Sequence, residues 1–413
     1  MNMIYYNPAD RMADVHSDIR GPLFEEANRM QAQGIPVLKL NTGNPGNFGF
    51  KMPDSVRKSL IEHIDEAVPY CDVKGMPAAR NAIWQYHIGK GFSGITPDSI
   101  FIGNGVSELA TILGNALFNP GDEILIPSPS YSLWTNVTYL ASAKPVLYIC
   151  DEQSAWYPDL EDIKAKITAR TKALLLINPN NPTGAVYPKE VLEGLINIAR
   201  EHGLILLSDE IYDRLLMDGV EHISTAALAP DMPVITLNGL SKSHIVCGFR
   251  CGWMVISGPD AFTQPTIAAC QKLAAMRLCS NALTQLVIPA ALEDSASTQA
   301  MMVPGGRLYE QREAVCSALD TIPGLSYVKN HAAFYLFPRV DVKIFNIVSD
   351  KQFALDVLHN THVLFIPGSG FDWQKPDHFR LVMLPEAGQI GDAILRIGKF
   401  LETYDQSKAP ITI

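Results

Sequence analysis

The chain has 413 residues, 47% of them hydrophobic and 18% charged, with a formal net charge of -10. That length admits two domains and a large core, and the negative balance excludes non-specific nucleic-acid binding, which needs a basic face. No apolar run approaches a membrane span, and the stretch from Met1 to Pro8 lacks the basic region and apolar core of a signal peptide, so a soluble cytoplasmic protein is expected. Cys71, Cys150, Cys247, Cys251, Cys270, Cys279 and Cys316 are an odd set without a disulfide spacing and read as reduced, mostly core thiols. Neither Cys247 with Cys251 nor His359 with His362 makes a convincing metal pair, so no metal is expected.

In chain order, residues 1–20 read as a polar arm that runs into Asp18-Ile19-Arg20-Gly21-Pro22. An amphipathic helix follows from Leu23, then the turn-rich stretch 40–46. Helices over Ser55–Ile64 and Pro77–Gly89 bracket the segment holding Tyr70 and Cys71. From Ser99 the texture changes to short apolar runs alternating with helical patterns. The runs are Ile100–Ile102, Glu123–Ile126, Pro145–Ile149, Ala173–Ile177, Leu204–Leu207, Val234–Leu237 and Trp253–Ile256. Such alternation predicts an α/β fold with a mainly parallel, seven-stranded sheet between helices. After about residue 300 a long helix over Gly305–Leu319 and short strands near Phe334–Phe337 and Val363–Ile366 predict a smaller α+β domain. The expected division is an N-terminal arm and part of the small domain in 1–50, a large domain in 51–300, and the rest of the small domain in 301–413.

Ligands of parallel sheets sit beyond the carboxyl ends of the strands, so the residues after each run are the candidates. Gly103-Asn104-Gly105-Val106-Ser107-Glu108 enters a helix, where free N–H groups cradle phosphate. Glu108 stands where the dinucleotide fingerprint needs glycine, so that fingerprint fails, and a purely structural turn is the other reading. Tyr131 could stack on a planar heterocycle or simply fill core. Asn178-Pro179-Asn180-Asn181-Pro182-Thr183-Gly184 is a rigid loop that aims an asparagine amide, although turn chemistry alone would also explain it. Asp209 ends a buried strand, which is costly unless it meets a cation. A pyridinium N–H is such a cation, and Tyr212, three residues on, would share its helical side and reach the ring hydroxyl. Ser241-Lys242 ends the next run, with Arg250 between Gly248 and Gly252. A strand-end lysine serves as nucleophile and the arginine as phosphate clamp, unless both are ordinary loop charges. Arg380 lies in the apolar strand His378-Phe379-Arg380-Leu381-Val382 and needs either a substrate carboxylate or an internal salt bridge.

Taken together, these residues resemble the fold-type-I, pyridoxal-phosphate-dependent aminotransferases of class I and II, over nearly the whole chain. The resemblance implies a pyridoxal 5'-phosphate cofactor held covalently by Lys242, and a homodimer. It implies that Arg250, Ser241 and the Gly105-Val106-Ser107 turn hold the phosphate, that Tyr131 stacks on the ring, and that Asn181 and Tyr212 bond the ring oxygen. Asp209 would pair with the ring nitrogen, Gly43, Asn181 and Arg380 would hold the substrate carboxylate, and Tyr70 would reach the phosphate of the neighbouring subunit. Within the class the likeness is greatest to the bacterial glutamate–pyruvate (alanine) group, on Asp18-Ile19-Arg20-Gly21-Pro22, Tyr70-Cys71-Asp72, Asn238-Gly239-Leu240-Ser241-Lys242 and Met276-Arg277-Leu278-Cys279. That implies ping-pong transfer of an amino group from glutamate to pyruvate, with Arg20 as a second carboxylate ligand unless it merely pins the arm by a structural salt bridge. The alternatives are aspartate, aromatic or branched-chain substrates, or β-lyase chemistry on the same fold. Gly239, Ser17 and the pair His244-Ile245 depart from the family pattern and bear on substrate preference, not on cofactor chemistry.

Overall fold

A computed structural model describes residues 7–408; the first six positions of the arm and the last five of the C-terminal part lie outside the described residues. In chain order the strands are β1 (Leu38–Lys39), β2 (Ile100–Gly103), β3 (Glu123–Ser128), β4 (Lys144–Asp151), β5 (Tyr157–Pro158), β6 (Thr171–Ile177), β7 (Ile205–Asp209), β8 (Val234–Gly239) and β9 (Gly252–Ser257). They continue as β10 (Leu325–Ser326), β11 (Tyr335–Leu336), β12 (Arg339–Val340), β13 (Val363–Leu364), β14 (Ile366–Pro367) and β15 (Phe379–Val382).

The main sheet runs β2-β9-β8-β7-β6-β3-β4-β5. From β8 through β4 all pairings are parallel, whereas β9 is antiparallel to both of its neighbours. All seven expected runs are strands. The eighth, β5, is a two-residue antiparallel edge strand with no hydrophobic run to announce it. Two apolar clusters fill the faces of this sheet, one around Leu174, Leu206 and Trp253, the other around Phe101, Leu175 and Leu237. Alternate residues of one strand thus serve opposite faces, as the pleat demands.

A separate cluster joins Leu23, Ala27, Met30 and Leu40 near the N-terminus to Val315, Leu319, Phe353, Leu381 and Ile394. The helix Pro22–Ala32 starts with proline at N1 and buries Leu23, Ala27 and Met30, a spacing of four then three that makes one stripe. Its following strand β1 pairs in parallel with β13. The chain therefore returns across more than 300 residues to complete a core that neither end could close alone.

One local expectation fails. Immediately beyond Asp209 residues 211–214 make a turn and not a helix, because β7 delivers the chain into a tight reversal, with Asp213 N donating to Glu210 O at 3.0 Å. Tyr212 reaches the same side as Asp209 by that reversal and not by helical spacing.

Candidate active site

Strand order reverses between β3 and β6, so the loops leaving their carboxyl ends diverge and open a crevice. Tyr131 rides on the first loop and Asn181 on the second. The resulting cleft encloses 360 Å³ and is lined by Arg20, Gly43, Val106, Ser107, Tyr131, Asn181, Asp209, Tyr212, Ser241, Lys242, Arg250 and Arg380. Of the residues singled out from sequence, only Gly105 and Tyr70 are not in its wall. Gly105 stands immediately behind it, with φ +85 as the N-cap of the helix Val106–Leu117. Tyr70 is 80% exposed on the outside of the chain.

At one end of the cleft three glycines lie in register, Gly103 and Gly239 each opposite Gly252. A Cβ on Gly252 would come within 2.7 Å of Val106 N, and one on Gly239 within 2.6 Å of Cys251 O. The Gly239 departure therefore has a packing reason: the backbone of β9 occupies the space a serine side chain would need. A Cβ on Gly105 would strike the Arg250 guanidinium. Arg250 itself, at φ +54, donates from Nη1 to Cys247 O at 3.0 Å and is otherwise open to solvent. A helix N-terminus, a hydroxyl at Ser107 and a guanidinium thus converge with glycine-only clearance, which fits a phosphate group.

In the middle, Lys242 Nζ donates to Gly43 O at 2.9 Å. Burial disfavours its ammonium, while the neighbouring Tyr335, Cys247 and Tyr131 hold its pKa above the ordinary lysine value. Across the cleft Asp209 is 5% exposed. Burial pushes its carboxyl up to about 6, against hydrogen bonds from Trp134 Nε1 to Oδ2 (3.1 Å) and from Ile211 N to Oδ1 (3.3 Å). This buried carboxylate has two modest donors, feels Lys242 only at a distance and makes no ion pair among the described residues, so a protonated pyridine nitrogen fits beside it.

At the far end Arg380 is 1% exposed and no carboxylate pairs with it among the described residues. Nη1 donates to Asn181 Oδ1 at 3.1 Å and Nη2 to Asn41 O, and the guanidinium carbon lies 4.5 Å from the ring centroids of both Tyr335 and Phe371. Its Nε is buried without a partner. The internal salt bridge that would have explained Arg380 is absent among the described residues. An orphaned buried donor on a full positive charge calls for an anion. Tyr212 OH donates to Tyr335 OH at 3.0 Å, and burial holds the Tyr212 phenol neutral.

The arm crosses the mouth. His16 N donates to Asn136 Oδ1 (3.1 Å) and Asn136 Nδ2 to His16 O (2.6 Å), Asn41 Nδ2 donates to Ile19 O (2.8 Å), and Asp18 pairs with Lys351 (3.5 Å). Arg20 lines the cleft and is exposed; its backbone N donates to Ser17 O at 3.3 Å, while its side chain has no hydrogen-bond or ion-pair partner among the described residues. Its neighbours pin the arm, so Arg20 is not needed for that. Ser17, the second departure, also lines this mouth.

His244 is buried and burial pushes it down to about 4. It is therefore neutral, with Nε2 bonded to Ala291 O at 2.6 Å and Nδ1 to Ser243 Oγ at 2.8 Å. Ile245 (φ +63) packs in the apolar cluster with Tyr212, Met302 and Phe334. Both departures face away from the cleft and shape the loop that carries Lys242.

Among the site residues that the sequence alone does not single out, three make contacts that bear on the chemistry. Tyr335 comes from β11, Cys247 from the loop past Lys242, and Trp134 contacts Asp209 from the helix Leu133–Leu140. Nothing local to Trp134 tells that its N–H faces an aspartate 75 residues away. Trp134→Phe removes a donor that holds the Asp209 carboxyl down. The acid limb of the rate profile is then expected to move to higher pH, with a cost of about 1.5–3 kcal/mol for a hydrogen bond to a charged group. A profile superimposable on wild type would show that the indole only packs.

A doubly flanked sheet with a lysine, a buried aspartate and an anion cradle around one crevice defines a pyridoxal-phosphate-dependent transferase. The chain belongs to the aminotransferase class I and II family, whose model matches residues 35–397. It is 48% identical over 404 residues to the glutamate-pyruvate aminotransferase AlaA of Haemophilus influenzae, covering 98% of this chain and 100% of that one. It is 47% identical to an alanine aminotransferase of Mycobacterium tuberculosis, covering 96% and 92%. Among solved structures, an aminotransferase from Escherichia coli superposes with a TM-score of 0.96 at 47% identity, covering 98% of this chain and 100% of that one.

Proposed function

We propose that the enzyme transfers the amino group of glutamate to pyruvate, giving alanine and 2-oxoglutarate. The observation that carries this is the pair of arginines. Arg380 is buried with a free Nε, and Arg20 stands unpaired at the mouth of the same cleft. Relatives described as glutamate-pyruvate aminotransferases match the whole chain at 48% identity. Arg380 suits the α-carboxylate that all four substrates share. Glutamate and 2-oxoglutarate bring a second carboxylate, which is prohibitive to bury without its own donor.

Bound pyridoxal phosphate supplies the electron sink for the pair left at Cα when its proton departs. The side chains do the rest. Lys242, the proposed covalent anchor, is the amine placed to take and return that proton. Asp209 keeps the ring nitrogen protonated, Tyr212 and Asn181 bond the ring oxygen, and Tyr131 covers the ring face. Ser107, Ser241, Arg250 and the Gly105-Val106 amides orient the phosphate. Gly43 and Asn181 assist Arg380. The proposed division puts 51–300 in a large cofactor domain and 1–50 with 301–413 in a small one, supported by the apolar cluster joining the chain's two ends. Among the described residues no helix is long and apolar enough to cross a membrane. Seven free thiols suit a reducing compartment, and we read the enzyme as cytoplasmic.

The direct test is a panel of single half-reactions, one amino acid at a time, read by the change in cofactor absorbance. Glutamate and alanine should convert fastest; a preference for aspartate, an aromatic or a branched-chain amino acid would replace this reading with that one. A relative described as an aspartate aminotransferase, 32% identical over 389 residues, keeps aspartate in the panel. Release of ammonia from β-substituted amino acids as the main reaction would indicate a β-lyase.

Arg20→Ala is expected to lower kcat/KM for glutamate and 2-oxoglutarate by about 1.5–3 kcal/mol. Alanine and pyruvate should change much less. Equal losses for all four would mean that Arg20 shapes the arm; no loss would remove it from the site.

A homodimer completes the proposal. Tyr70 is exposed, as are the apolar Ile64, Val68, Met276 and Leu278, and exposed apolar side chains of this size are what a second copy would cover. Mixing Tyr70→Ala with Lys242→Ala chains should restore activity, because one site per heterodimer then has both residues. With subunit exchange demonstrated, zero recovery would place Tyr70 in its own chain's site or in none.

A further inference from the structure

Tyr335 belongs to no site motif of the sequence, yet it touches three parts of the cleft at once. It stands on β11, opposite Val382 of β15, and is 2% exposed. Its hydroxyl accepts from Tyr212 OH at 3.0 Å, with the two rings edge to face at 5.6 Å. Its ring carries the Arg380 guanidinium at 4.5 Å. The same hydroxyl occupies the room of a side chain at Gly43, where a Cβ would strike it, and Gly43 O is the acceptor for Lys242. The Phe334 ring packs against it at 4.8 Å, so the phenol is held in place on every side that matters to the cleft.

Two phenols joined by one hydrogen bond hold two hydrogens, and one of them is spare. Tyr212 OH places its hydrogen on Tyr335, whereas the Tyr335 hydrogen has no acceptor among the described residues. Burial holds the Tyr212 phenol neutral, so it keeps its single hydrogen. An oxyanion arriving at Tyr212, such as the ring oxygen assigned to it above, takes that hydrogen, and Tyr212 then meets Tyr335 only as an acceptor. The spare Tyr335 hydrogen completes the reversed bond by turning about its own C–O bond, with no movement of the ring. The hydroxyls then run in series from Tyr335 through Tyr212 to the ring oxygen. Each donor polarises the next, so the series stabilises a terminal negative charge more than Tyr212 alone. The Arg380 cation on the Tyr335 ring face draws charge from that phenol and strengthens it as a donor.

We propose that Tyr335 is a positioning residue of the site: when cofactor binds, its bond to Tyr212 reverses, and Tyr335 donates to Tyr212 while Tyr212 donates to the ring oxygen. The role lies in the hydroxyl, whereas packing and the Arg380 contact belong to the ring. The inference rests on the reading that Tyr212 faces that oxygen, and it does not depend on the substrate assignment. Its measurable consequence falls on the nitrogen that joins Lys242 to the cofactor. A proton lost from that nitrogen leaves the nearby ring oxygen as an uncompensated anion. Every donor to the oxygen therefore favours the deprotonated form and lowers the pKa of the nitrogen. Tyr335 tunes that pKa through Tyr212, without touching the cofactor.

The test titrates the visible absorbance of the holoenzyme against pH in the wild type, Tyr335→Phe, Tyr212→Phe and the double variant. Tyr212→Phe is expected to raise the apparent pKa by about one to two units, the usual worth of a hydrogen bond to a charged group. Tyr335→Phe keeps the ring and its Arg380 contact, and should raise it by about half a unit, with little added in the Tyr212→Phe background. A ring-fluorinated tyrosine in place of Tyr335, a more acidic phenol of nearly the same shape, should lower it. A Tyr335→Phe titration that superimposes on wild type while Tyr212→Phe shifts would overturn the proposal and leave the Tyr212 assignment standing. Additive shifts in the double variant would overturn the series, because Tyr335 would then act by a path of its own. An unchanged or higher pKa with the fluorinated phenol would overturn it too. An unmoved Tyr212→Phe titration would remove Tyr212 from the ring oxygen, and the proposal with it.

Discussion

Lys242→Ala is expected to abolish turnover while leaving the protein folded and able to bind cofactor. The amine has two proposed duties, covalent attachment and proton transfer at Cα. Proton transfer by a placed side chain alone accounts for about 10²–10⁴-fold. Losing the attachment adds to that, so the combined effect exceeds any other single substitution in the cleft. The phosphate cradle of Ser107, Arg250 and the amides after Gly105 is separate from Lys242, and the variant should still hold cofactor through it. Two measurements check this. Borohydride reduction and peptide mapping of the wild type should place the pyridoxyl group on Lys242, and on no peptide of the variant. Small primary amines added to the variant should restore part of the half-reaction rate, rising with their basicity. Turnover within a few-fold of wild type, or a reduced label elsewhere, would remove Lys242 from the chemistry.

Asp209→Ala comes second. Without a carboxylate facing it, the ring nitrogen loses its proton at neutral pH, and a neutral pyridine accepts the electron pair poorly. A loss on the order of 10²-fold or more is expected in the half-reaction, with cofactor still bound. Rates within a few-fold of wild type would contradict the role. The stability of the cofactor-free protein responds in the opposite sense. Burial raises the Asp209 carboxyl from 3.8 to about 6 and the neighbouring Glu210 carboxyl from 4.5 to about 7. Groups raised on folding favour the folded state below their unfolded pKa, and that contribution is lost as pH rises through the folded value. Between about pH 4 and 7 these two carboxyls therefore make the apoprotein less stable with rising pH, and Asp209→Asn should flatten the lower part of that slope in a thermal melt. The carboxylate that catalysis needs is one the empty fold resists, and the positively charged ring offsets that cost when it binds.

Much of this was readable from residues in a row. Seven apolar runs fixed the central sheet because strands buried on both faces must be continuously apolar. Lys242, Asp209 and Arg380 betrayed themselves because a charge at the end of such a run, or inside one, has no cheap structural explanation. Gly103, Gly239 and Gly252 are visible as glycines, but only the β2-β9-β8 register shows that they face one another and leave room for a phosphate.

What the tertiary structure alone decided concerns pairings between distant segments. The strand β5, the Tyr212 turn, the bond from Trp134 to Asp209 and the Tyr335 contact with Tyr212 join residues whose local sequence is neutral about partners. Arg20 is the plainest case. Its sequence leaves a structural salt bridge nearly as open to it as a substrate contact. Only the folded arm, held by His16, Asp18 and Ile19, shows that the bridge is made by others and that Arg20 stands free at the cleft. Sequence periodicity records which residues must leave water, since burial acts on each residue by itself. Which polar group meets which is set by the crossing of strands and loops, and no single segment carries that information.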